Sequence, residues 1–371
     1  MKKYRLTDIS RLHDYQHDGE QRQVRLWQTE ALYAFGDVEA GQYGGWIEEE
    51  ANLSHSGTCW LEPGALVWNK AQIEDNATVR GESEICHRAK VGGHAQVEDS
   101  RISGECSIHG SARVLQQSQV IAVLGLTEDS EMRLQIYGSA TVRASRIVHQ
   151  AQIYGHARVN NAFVEHRSAI FDNAIIEGNA ENNVWVCDCA QISGNARIIA
   201  GSGDSQIPTI RYSSRVYGNA IIEGDCVLKH RVQVYGNAAL IGGPVLLDNN
   251  VRVYGQAKVM GNVLIENNVQ IYDEATVEGF DGELIHLRGM KDINVSNAPV
   301  NILVVELVIQ EFGLLQAALK GETVALRHPV AGPISDDAFD DESTHRPFPS
   351  VLADGRFNHG GNDPLPLPVL A

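Results

Sequence analysis

Cations are scarce in this chain: 30 Lys and Arg stand against 47 Asp and Glu, a formal charge of −17 over 371 residues. That balance argues against nucleic acid or an anionic membrane as a partner, because both need a net basic surface. Long apolar runs are missing too. No stretch reaches the roughly 20 residues that cross a bilayer, and Met1-Lys2-Lys3-Tyr4-Arg5-Leu6-Thr7-Asp8 lacks the apolar centre of a secretory signal. Six cysteines are too few for a disulfide scaffold, so the expectation is a protein of the reducing cytoplasm.

What the chain does have is a period. From Val67 the aliphatic residues fall at Val67, Ile73, Val79, Ile85, Val91 and Val97, then at Ile102, Ile108, Val114 and Val120. Every step is six residues except one of five. A small residue follows most of them four positions on: Ala71, Ala77, Ser83, Ala89, Ala95, Cys106 and Ala112. The frame resumes at Ile136 and runs, with interruptions, to Val277. A helix would repeat every 3.6 residues and a lone strand every two. Six fits a coil of short strands joined by tight corners, with one aliphatic and one small residue per strand inside.

The aromatics give the number of sides. Tyr137, Tyr154 and Phe171 lie 17 apart, and Tyr217, Tyr235, Tyr254 and Tyr272 are separated by 18, 19 and 18. A residue recurring every three hexads sits above its predecessor in a three-sided prism, which places these rings in an outward stack that stiffens one edge. The short steps (Val97 to Ile102, Val142 to Ile147, Val159 to Val164) all fall on one side. The fold class expected is all-β, a three-sided parallel β-helix over 45–285 with about eleven coils, roughly 53 Å long at the spacing of paired strands. Residues 1–44 carry no hexads and read as a small β cap with a hairpin turn at Asp18-Gly19. Residues 286–327 read as a C-terminal helical cap, with an amphipathic helix over 302–320. The acidic, Pro- and Gly-containing segment 328–371 reads as disordered.

One edge differs in chemistry. On the other two edges the corner residue, two after the aliphatic, is commonly glycine. On the edge of Ile147, Val164, Val186, Ile210, Leu228, Leu247 and Ile265 it is His149, His166, Asp188, Tyr212, His230, Asn249 and Asn267. Neighbours add Glu165, Arg167, Cys187, Cys189, Arg211, Lys229 and Arg231. Three insertions cluster there: ten residues after Val120, four around Asn182-Asn183-Val184-Trp185, and six around Gly201-Ser202-Gly203-Asp204. Loops on a rigid scaffold are where sites gather. The bland reading is a column of turn formers, since His, Asn and Asp tolerate left-handed backbone; Asn69 and His87, earlier on the same edge, support it. The functional reading sets His166, His149, His230 and Asp188 as catalytic, His166 foremost because His149 and Asp188 flank it one coil away on either side. Arg167, Tyr212, Arg211, Lys229, Arg231 and Trp185 then bind substrate. A neutral imidazole takes a proton from an attacking hydroxyl or amine, and the cations receive phosphates. No ligand-spaced motif joins the histidines, so no metal is expected. Cys187 and Cys189 form a lone pair, and Cys106 and Cys226 fill the small slot; packing accounts for them.

The tandem aliphatic-x-Gly-Asn-Ala hexads resemble the hexapeptide-repeat transferase superfamily, although glycine here stands second after the aliphatic, not first. Gly44-Gly45-Trp46-Ile47, Asn182-Asn183-Val184-Trp185, Cys187-Asp188-Cys189-Ala190, Arg211-Tyr212-Ser213-Ser214, Gly242-Gly243-Pro244 and Ile285-His286-Leu287-Arg288-Gly289 are similar to the YdcK-type proteins of enteric bacteria. The resemblance covers residues 1 to about 290. It implies a left-handed coil, a homotrimer, and acyl transfer from acetyl-CoA as co-substrate to a small hydroxyl or amine acceptor, with no tightly bound cofactor. The alternative is a non-catalytic β-helical scaffold for binding or structure.

Overall fold

The computed structural model describes residues 1–17, 19–124, 133–279, 284–289 and 293–295. Two compact units divide them, the first ending at His156 and the second starting at Ala157. Each is a stack of short parallel strands.

In the first unit Leu53 bridges to Ile73, and Ile73, Val91, Ile108, Ile136 and Ile153 pair in that order, one above the next. A second file runs Ile47, Val67, Ile85, Ile102, Val120 and Ile147. A third runs Leu61, Val79, Val97, Val114 and Val142. Three files make three sides. All of these side chains are buried, each contributing about 1.5–3 kcal/mol relative to exposure. The small slot is buried as well, from Ala71 through Ser83 to Ala112. In the second unit Ile170, Ile192, Val216, Val234, Val253 and Ile271 form one file, and the backbone of Ile293 continues it. The two stacks hold six and seven rungs of this file. The two beyond the expected eleven start from Leu53 and Ile293, which lie outside the stretch where hexads are regular.

Glycine on the neighbouring corner column is required twice over. Gly93 has φ +63°, and a Cβ there would lie 2.8 Å from the backbone nitrogen of Gly110 in the next turn. Gly110 and Gly138 repeat this relation upward.

The chain's start is a long antiparallel hairpin, Tyr4–His17 with Glu20–Ala31; Asp18 of the expected turn lies outside the described residues. The hairpin lies against the outer face of the first turns. Val24 and Leu26 bury themselves on Leu66, Trp68 and Cys86, with Tyr15 and Trp46 packed alongside. Tyr4 reaches the start of the stack and donates its hydroxyl to the carbonyls of Glu50 and Leu53.

At the other end the strands outrun the expected boundary at 285. Ile285–Arg288 pairs in parallel with Val263–Glu266, and Ile293–Val295 pairs with Gln270–Asp273. Ile285 and Leu287 alternate inward and are buried, so the first residues of the expected helical cap continue the solenoid instead. The helix over 302–320 and the tail over 328–371 lie outside the described residues. Among the described residues the only helical element is a single 3-10 turn, Glu50–Asn52, and no helix is long and apolar enough to cross a membrane. The six cysteines are free, all buried except Cys189.

Candidate functional site

The polar edge of the second unit is built by pairing Val164 with Val186, Ile210, Leu228, Leu247 and Ile265 in successive turns. Two residues after each, the chain turns through left-handed backbone: φ is 56° at His166, 63° at Asp188, 54° at Tyr212, 47° at His230, 56° at Asn249 and 65° at Asn267. The corners are therefore turn positions, as the bland reading required, and Tyr212 occupies one despite being a poor left-handed former. A corner Cβ points outward, so the same geometry presents these side chains on the surface, about one strand spacing apart.

They interact along the column. His166 Nδ1 lies 3.6 Å from Asp188 Oδ1, an ion-pair distance too long for a hydrogen bond. The other Asp188 oxygen accepts the backbone N–H of Tyr212 at 3.1 Å and lies 3.8 Å from Arg211 Nε. Tyr212 stacks on His230 with ring centroids 4.1 Å apart. His230 Nδ1 makes a 2.7 Å hydrogen bond with Asp248 Oδ1, which orients the ring. His230 and His166 are each half exposed.

Beneath the column lies a buried layer. Arg211 is 6% exposed and Trp185 7%, and the guanidinium sits 5.2 Å from the Trp185 ring and 5.0 Å from the Tyr212 ring. Lys229 is also buried. Trp185 lies in the strand Val184–Val186, not in a loop, and donates its indole N–H to Glu165 Oε1 at 3.0 Å. Burial raises the Glu165 carboxyl above its usual range, against the opposing pull of His166, the Trp185 hydrogen bond and Arg211. Burial, with Asp188 beside it, likewise raises the Cys187 thiol, which argues against a nucleophilic role. Of the expected cations, Arg167 and Arg231 are the exposed ones.

His149 belongs to the first unit. It ends the strand Arg146–His149 at φ 66°, one turn after Ala122. Of the insertions, residues 125–132 lie outside the described residues. The other two are tied together: Asn179 and Asn182 donate their side-chain amides to the carbonyl of Gly201, and Asn182 also to that of Gly203.

One participant and one pairing escaped the reading of the sequence. Asp248 precedes a corner, and only the fold shows it leaning back one turn to His230. Glu165 was visible as a neighbour, but its bond to a tryptophan twenty residues away was not.

The YdcK Beta solenoid repeat model matches residues 134–150, 151–167 and 190–206, and its first two copies contain His149 and His166. The chain is 46% identical over 312 residues to a protein of Escherichia coli (strain K12) named "Uncharacterized acetyltransferase YdcK"; the match covers 79% of this chain and 96% of the relative. Identity at that level over nearly the whole relative, on a repeat that the coordinates show as stacked parallel strands, places this chain in the YdcK family of β-solenoid proteins.

Proposed function

We propose that this protein is an acyltransferase, working as a left-handed homotrimer in the cytoplasm, which moves an acetyl group from acetyl-CoA to a small hydroxyl or amine acceptor. The relative's name supplies the reaction class. The observation that carries the site is a histidine on the polar edge with its Nδ1 fixed by a carboxylate, His230 to Asp248 at 2.7 Å. In the neutral ring, a proton on Nδ1 shared with that carboxylate leaves the lone pair on Nε2, the arrangement a general base needs. The acceptor gives its proton to Nε2 as its oxygen or nitrogen attacks the thioester carbon. The thiolate of coenzyme A then leaves and takes a proton back. Arg167 and Arg231 offer exposed charge for phosphates, with Arg211 and Lys229 set beneath them.

His166 stands in a looser version of the same relation, 3.6 Å from Asp188. It is the base that the sequence favours; His230 has the better-formed pair. Replacing each by alanine separates them. Loss of the base should slow release of coenzyme A thiol to acceptors by roughly 100-fold, while melting shifts by only about a degree or two, because a half-exposed corner residue buries little. The scaffold reading is favoured by one observation, the left-handed φ at every corner of the edge. Full transfer in the His149, His166 and His230 variants alike would make that the better account.

A further inference from the structure

The hairpin at the chain's start creates a concave surface within the first unit, over Asn69 and His87, corners that come earlier on the polar edge. It is a cleft of about 340 Å³, at the lower end of the range of small-molecule sites. Tyr15 and Arg22 wall it from the hairpin, and two consecutive corners, Asn69-Lys70 and His87-Arg88, form its floor. We propose that this cleft binds a small organic phosphate, a phosphomonoester with a compact apolar or sugar portion.

Hydrophobic docking brings the charges together. Arg22, Val24 and Leu26 alternate on one face of the strand Glu20–Ala31. Val24 and Leu26 are buried on Trp68 and Cys86, each the residue immediately before one of the two corners. Seating that apolar pair carries Arg22, and Tyr15 opposite it in the hairpin register, to the corner cations. Like charges so placed repel, and the arrangement is tolerable where an anion answers them. The cleft itself contains one acid, Glu105, whose side chain is 3% exposed and 3.2 Å from Arg88. It anchors the Arg88 side chain from below while leaving it 59% exposed. His87 Nδ1 engages Ser103 Oγ at 2.9 Å. With histidine left uncounted, the cleft's lining carries Arg22, Lys70 and Arg88 against Glu105, 3 − 1 = +2, and Glu20, outside the lining, pairs with Arg22 at 3.3 Å. The whole chain is −17.

Three cationic donors from two directions, joined by the Asn69 amide, match a tetrahedral dianion better than a flat carboxylate. A phosphomonoester is close to dianionic at neutral pH. Tyr15 and Leu124, the latter 40% exposed, give the organic portion an apolar wall. The inference does not depend on acyl transfer.

Calorimetric titration of the full chain with glucose 6-phosphate and with AMP tests it. At least one should bind saturably, one per chain, more weakly as salt is raised. Glucose should not bind, and inorganic phosphate should bind at least about tenfold more weakly, lacking contacts to the apolar wall. Arg22→Glu and Lys70→Glu should each weaken binding by about tenfold or more, with melting unchanged because both side chains are exposed. Arg88 is left intact, since removing it strands the Glu105 carboxylate. Absence of saturable binding by both phosphates would overturn the proposal, as would undiminished affinity in the Arg22→Glu/Lys70→Glu double variant. Equal affinity for inorganic phosphate would overturn the organic-phosphate assignment.

Discussion

A carboxylate in a low-dielectric place behaves as a weaker acid, and Asp225, in the second unit, is such a group. It lies in the strand Ile221–Leu228, and burial pushes its carboxyl up to about 6. Above its ordinary value near 4 the unfolded chain releases this proton while the folded chain keeps it, so stability falls as pH rises from about 4 to 6 and then levels. Asp225→Asn removes the penalty. The variant should be more stable than the parent at pH 7.5, by roughly 1–3 kcal/mol, and indistinguishable from it near pH 3.5, as read by denaturant melts across that range. A variant no more stable at pH 7.5 would mean that water reaches the carboxylate. Residue-scale pairings were the least legible in the sequence. The corner column could be read because a six-residue frame assigns every residue a side and a height. The His230–Asp248 bond could not, because it depends on how a side chain leans between turns, and no periodicity encodes that.

Among the elements, the aromatic ladder was the most legible, and its geometry explains why. Stacking rings at the strand repeat requires only that the same residue recur in each turn. Tyr217, Tyr235, Tyr254 and Tyr272 do so, with centroids 4.8, 4.9 and 5.1 Å apart and planes within 5° of parallel. In the first unit His109 joins Tyr137 and Tyr154 in the same manner. Each contact contributes on the order of 0.5 kcal/mol. Tyr235→Ala breaks two of them and should lower the melting temperature by a few degrees while leaving ligand affinity unchanged. Lost affinity at unchanged stability would instead make the ladder a binding surface. Elements at the ends were harder to read. Leu53 and Ile293 extend the interior file without a regular hexad to announce them, and the hairpin carries no signal that it lies along the flank. That placement is decided by Trp68 and Cys86, outward-facing positions made apolar to receive it.

At the scale of the molecule, sequence periodicity specifies a parallel solenoid and says little about chemistry, because the same repeat can carry a site on any edge or on none. Acyl transfer is proposed for the edge where glycine gives way to His166, Asp188, Tyr212 and His230, and an anion site for the cleft under the hairpin. The most direct measurement is a crystal structure of the full chain soaked with acetyl-CoA. The expected result is a thioester carbonyl against the His166–His230 edge, close to one of these imidazoles, with the phosphates on Arg167 or Arg231. Crystals that take up no acetyl-CoA at millimolar concentration, or that hold its thioester away from this edge, would contradict it.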